Sequence, residues 1–209
     1  MFLLSVLDNM TMYERALQET KFEIITTELR HLNSLNMFIT VFYQCKQLAA
    51  TCSAEDWDNL FGNIRIVKDA SEFLLNDLLV HWQNDIMLNG IYAILRNHAT
   101  SILRVYVNYC SNQPLANYTL CRLRQNNQKF RELLIQLEAN QNDTLQTFLT
   151  LPIQRVTRLP LLLEAVIPRL DQSTAEYTAC RLAIVTFKKV GGYIFLLIYK
   201  FIFGRDSSK

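Results

Sequence analysis

The stretch Phe148-Leu-Thr-Leu-Pro-Ile-Gln-Arg-Val-Thr-Arg-Leu-Pro-Leu-Leu-Leu-Glu-Ala-Val-Ile-Pro-Arg-Leu170 governs the reading of the whole chain. Its apolar residues recur at Val156, Leu159, Leu163, Val166 or Ile167, and Leu170, the three-and-four spacing of one buried helical face. Pro152 fits a first-turn position, where a missing N–H costs nothing. Gln154, Arg155 and Arg158 are expected on the opposite side of the same helix. Pro160 is the anomaly, because proline inside a helix removes a backbone bond at a cost of about 3 kcal/mol. A helix that keeps such a residue beside two arginines is not shaped by stability alone.

Working outward, the composition favours long helices. The chain has 209 residues, half of them hydrophobic, with only five glycines and four prolines to make tight turns. No apolar run approaches the 18 or so residues of a membrane span. A net charge of +2 gives no reason to expect nucleic acid as a partner. The five cysteines, Cys45, Cys52, Cys110, Cys121 and Cys180, form no C-x-x-C pair, so reduced thiols and a cytoplasmic location are expected. The apolar start Met1–Asp8 lacks the basic flank of a signal peptide. His31, His81 and His98 lie far apart, and no metal or other cofactor is expected. Nothing resembles a phosphate-binding glycine loop, an H-E-x-x-H motif or a nucleophile elbow, so no hydrolytic or transfer chemistry is expected.

From Met12 to about Ala50 there is neither glycine nor proline. Ile25, Leu29, Leu32, Leu35, Ile39 and Phe42 repeat at three or four residues, which predicts one long helix with Glu28 at the edge of its apolar stripe. Ser53 offers an N-cap for a second helix, broken near Gly62 or Asp69 and resumed through Trp82. A helix over Ile91 to Cys110, a loop at Ser111–Pro114 and a helix over about Leu115 to Ala139 follow. Gln141–Thr144 reads as a polar hinge, and Ser173 with Glu176 reads as a capping box opening the last helix. The predicted fold is all-α, an elongated bundle of about six long helices in one domain.

Leu151-Pro-Ile-Gln-Arg-Val-Thr-Arg-Leu-Pro-Leu-Leu-Leu163 closely resembles the third conserved segment of Dbl-homology domains, the exchange modules for Rho-family GTPases. Glu19–Asn36 is similar to the first conserved segment, and Leu60–Val67 through Phe73–Leu78 to the second. Tyr106–Asn112 and Asn126–Phe130 also match, and the wording is most similar to the ephexin subgroup. The resemblance divides the chain into a lead-in at residues 1–12, a Dbl-homology-like domain at 13–190 and an apolar tail at 191–209. The tail departs from the family: Phe195 stands near where an asparagine that touches the GTPase is expected. The pleckstrin-homology domain that follows in the family has no counterpart in the chain, as in a truncated or alternatively spliced product.

The resemblance implies the function of a guanine-nucleotide exchange factor. The partner it implies is a small GTPase of the RhoA, Rac or Cdc42 type. It places Glu28 against the first switch region of that GTPase and Arg158 against the second, with Gln154 and Arg155 on the same conserved helix. Thr27 and Asn63 are expected near that surface. The alternatives are a surface pairing of Arg155 and Arg158 with Glu164, and for Arg155 a buried structural role. A Glu28→Ala change is expected to abolish exchange with little effect on melting temperature. A second reading keeps the fold as an exchange-dead binding module, with weak membrane contact through Phe195 to Phe203.

Overall fold

The computed structural model describes residues 10–203, all of whose regular structure is helical. The lead-in at 1–9, the last residues at 204–209 and the Phe195 side chain lie outside the described residues. Helix α1 spans Met12–Phe38 and passes into a π-helical turn at Ile39–Tyr43. Short helices α2 (Lys46–Ala49) and α3 (Ala54–Phe61) lead to α4 (Ile64–Asn84). The longest element, α5, covers Ile91–Asn126 and is followed by α6 (Gln128–Ala139). Helix α7 (Leu145–Val166) ends in a 3-10 turn at Ile167–Arg169, and α8 spans Ala175–Phe203.

Caps at the helix starts follow from local residue types. Thr11 and Glu14 form a capping box on α1, and the Ser53 side chain accepts from the Asp56 N–H at the start of α3. Thr144 caps α7 and Asn127 caps α6 in the same way. At α8 the cap is Thr174, whose Oγ1 accepts from the Tyr177 N–H, while Ser173 donates to Asp171. The expected Ser173–Glu176 box does not form. Glu176 instead pairs with the buried Lys21 at 2.7 Å, tying the first half of α1 to the start of α8.

Several expected boundaries move, each for a packing reason. The loop expected at Ser111–Pro114 is helix, and α5 runs straight through Pro114. Tyr106, Tyr109, Cys110, Ala116, Leu120 and Leu123 are buried on both sides of that proline. Each large side chain among them gains about 1.5–3 kcal/mol by burial, which together exceeds the cost of one lost backbone bond. Pro152 lies eight residues into α7, rather than in its first turn, and is buried with Pro160. The first helix stops short of Ala50 without any glycine or proline. Its π-helical end carries Phe42, which packs with Phe38, Phe61 and Phe148 in one ring cluster.

Helix α8 packs most extensively on α5 and also lies along α7, burying Cys180, Ala183, Ile184 and Phe187. Its backbone remains helical through Gly191 and Gly192 to Phe203, across the point where the apolar tail was expected to replace it. No described helix is long and apolar enough to cross a membrane. Helix α1 contacts both α4 and α7, so two neighbours rather than one define its buried face. That wider face positions the site.

Candidate functional site

Helices α1 and α7 run antiparallel. Tyr13 donates to the Pro168 carbonyl, Glu28 meets Arg155, and the Phe38 ring stacks on Phe148 at 5.8 Å. On each helix one row of residues at spacings of four, three and four faces the seam. Glu23, Thr27, Arg30 and Ser34 form the row on α1, and Gln154, Arg158, Leu161 and Ala165 form the row on α7. The rows stand apart as the walls of an open groove of about 560 Å³, with His31, Leu151, Arg155 and Leu162 completing its lining.

Beneath this groove lies a buried charge pair. Glu28 is 1% exposed and Arg155 is 5% exposed. Arg155 Nε donates to Glu28 Oε2 at 2.8 Å, and its Nη2 comes within 2.6 Å of the same oxygen as an ion contact. Arg155 Nη1 donates to Thr27 Oγ1 at 3.0 Å, and Ser71 of α4 donates to the other Glu28 oxygen. The expected stripe on α1 is therefore rotated. Leu29, placed in the stripe by its spacing, is 45% exposed, while Glu28 and His31 take buried positions. Arg155 likewise turns inward from the exposed side expected for it. A charge is tolerated in such a place only when paired and hydrogen-bonded, and this pair meets both conditions.

The environment of the pair perturbs its neighbours. Burial lowers the His31 imidazole from 6.5 to about 4; the Glu28 charge opposes that shift and Arg155 adds to it. The His31 Nε2 is buried and has no hydrogen-bond partner among the described residues. Burial, together with the Glu28 carboxylate, also pushes the Tyr106 phenol above its ordinary range. All five cysteines are free, and burial raises the Cys110 and Cys180 thiols to about 12.

Of the six residues singled out in the sequence, the groove gathers four. Thr27, Gln154, Arg155 and Arg158 line it, and Glu28 lies directly under Arg155. Arg158 is exposed and makes no ion pair among the described residues; Glu164, its suggested partner, pairs with Lys188. Gln154 reaches only Thr150, at 3.3 Å. Asn63 does not line the groove. It stands exposed at the start of α4, eight residues and about 12 Å of helix before Ser71. Arg30, His31, Ser34 and Ser71 were missed. The first three were within reach of the helical period counted from Thr27, but Ser71 required knowing which helix packs on α1. Among the described residues no cluster of His, Cys, Asp or Glu is arranged to hold a metal.

A model of the RhoGEF domain family matches residues 20–194. Rho guanine nucleotide exchange factor 5 of Mus musculus is 38% identical over 175 residues, covering 82% of this chain and 11% of that protein. Rho guanine nucleotide exchange factor 16 of Homo sapiens is 35% identical, covering 90% and 27%. Ephexin-1 of Rattus norvegicus is 34% identical, covering 83% and 25%. The chain thus spans about a quarter or less of the length of the relatives it matches. The described fold superposes with a TM-score of 0.87 on the DH/PH domains of PDZ-RhoGEF, solved with activated RhoA, at 20% identity. That match covers 94% of this chain and 57% of the other.

Proposed function

Because the chain belongs to the RhoGEF domain family, we propose that it docks a Rho-family small GTPase on the groove between α1 and α7 and promotes nucleotide release. The observation that carries this reading is the convergence of Thr27, Gln154, Arg155 and Arg158 on one open face, above a carboxylate held by Arg155.

The mechanism requires no covalent step and no metal ion of this chain's own. A GTPase holds its nucleotide through phosphate contacts and magnesium, with two switch loops ordered around them. A surface that binds the nucleotide-free conformer more tightly than the loaded one weakens nucleotide affinity by the same factor. Rigid helices suit this role, since their side chains are fixed before the loops arrive. Arg158 is the exposed cation available to hold the second switch in a displaced position. Glu28 acts chiefly through Arg155 and Thr27: its carboxylate holds the guanidinium, and the guanidinium holds the threonine hydroxyl. Asn63 would contribute at a separate point of the partner. The free thiols fit a reducing compartment, and we assign the protein to the cytoplasm, where such GTPases work.

One observation favours a second reading. Glu28 is fully engaged inside the molecule, so a partner that needs this carboxylate must first open a buried ion pair. Should release depend on that carboxylate itself and the pair stay closed, the chain binds a GTPase without releasing nucleotide. The deciding experiment loads RhoA-, Rac- and Cdc42-type GTPases with fluorescent GDP and follows the signal after adding the chain. Accelerated release from one of them supports the exchange reading. Binding without acceleration supports the second, and neither binding nor release removes both.

A further inference from the structure

The groove is chemically unlike at its two ends. The antiparallel register brings Glu23 to the level of Arg158, Leu161 and Leu162. Seven residues further along α1, about 10 Å by helical rise, Arg30 and Ser34 face Leu151 and Gln154. At this second end no carboxylate lines the wall among the described residues. The Arg30 guanidinium reaches only the Thr26 carbonyl of its own helix, at 3.4 Å, and makes no ion pair among the described residues. The neighbouring His31 ring also lines the groove but is 7% exposed, and its sealed Nε2 has no hydrogen-bond partner among the described residues. The Gln154 amide across the groove adds a donor held only by a long bond to Thr150. A cation and an amide donor at one open end form a pair of groups complementary to a carboxylate.

We propose that Arg30, with Gln154 opposite, is a specificity-determining subsite that receives an acidic side chain of the docked GTPase. The inference rests on the exchange reading above and adds to it a polarity. The partner segment lies along the groove with its acidic end at Arg30 and its apolar part at Leu161, which is 61% exposed. The attraction acts across a solvent-accessible face. It therefore speeds association and falls with ionic strength on the scale of the Debye length, about 8 Å at physiological salt.

The test compares Arg30→Gln and Arg30→Glu with the unmodified chain, and with Lys129→Glu, which changes net charge as much as Arg30→Glu does but on α6, away from the groove. The half-saturating GTPase concentration and the maximal release rate are measured across a series of salt concentrations. The expected result for Arg30→Gln is a roughly tenfold higher half-saturating concentration, a shallower salt dependence and a maximal rate within about twofold of the original. Arg30→Glu should exceed that loss, and Lys129→Glu should show none of it. Unchanged half-saturation in both Arg30 variants overturns the subsite while leaving the exchange reading intact. An equal effect of Lys129→Glu also overturns it, since net charge alone would then explain the loss. If Arg30→Glu lowers helix content, Arg30→Gln alone decides. Failure of the unmodified chain to bind or release any GTPase removes the exchange reading and the subsite with it.

Discussion

Glu28 and Arg158 belong to one face of the molecule but to different environments, and that difference separates their effects. Arg158 is exposed and makes no ion pair among the described residues, so truncating it removes little from the fold. Arg158→Ala should change stability by less than about 1 kcal/mol while lowering nucleotide release, as read by thermal melting beside the fluorescence assay. Glu28→Ala leaves Arg155 buried and without its counter-charge, and should cost about 3–5 kcal/mol. The small effect on melting temperature expected from the sequence is therefore replaced by a large one. Equal melting temperatures for the two variants would contradict the burial of the pair. Loss of exchange in Glu28→Ala alone is thus weak evidence for direct contact, because the same change disorders Arg155 and Thr27.

Among the elements, α8 carries the clearest disagreement between local propensity and observed structure. Gly191 and Gly192 are poor helix formers, yet the helix continues through both. A Cβ added at either position would meet nothing within 4 Å, and neither shows the positive φ that favours glycine. Gly191→Ala and Gly192→Ala should each stabilise the protein by about 0.5–1 kcal/mol, mainly by restricting the unfolded chain. The check is a higher denaturation midpoint with unchanged denaturant dependence. Helices α5 and α7 show the converse case, in which proline inside a helix is compensated. The Tyr109 hydroxyl donates to the Leu149 carbonyl at 3.0 Å and ties this part of α7 to α5.

For the whole molecule, the buried His31 ring makes stability depend on pH. The unfolded chain takes up a proton on His31 near 6.5, whereas burial in the folded state delays that uptake to about 4. Between these values the unfolded state binds more protons, so stability falls as pH drops through this window and is unaffected by this group above it. The loss approaches about 3 kcal/mol at the acid end, from a shift worth about 1.4 kcal/mol per pH unit. His31→Phe should flatten the curve between pH 6.5 and 4 in equilibrium unfolding. A curve of unchanged slope would mean that other groups dominate acid unfolding. Because α1 contacts both α4 and α7, a proton forced into this seam is felt by the bundle as a unit.

The all-α fold, the polar hinge at Gln141–Thr144 and four of the groove residues were legible in the sequence, and of the two breaks it offered, Gly62 and Asp69, the helices separate at the first. Helical period and cap chemistry act over a few residues and leave their mark there. The conserved wording around Leu151–Leu163 added the family and the direction in which to look. The course of α5 through Pro114, the π-helical end of α1 and the inward turn of Glu28 and Arg155 depended on tertiary packing. In each case a residue's environment is set by side chains distant in sequence: Phe148 and Phe61 for the ring cluster, Ser71 and Arg155 for Glu28. Spacing along one helix gives the direction of a side chain, but only the neighbouring helices determine whether that direction is solvent or core.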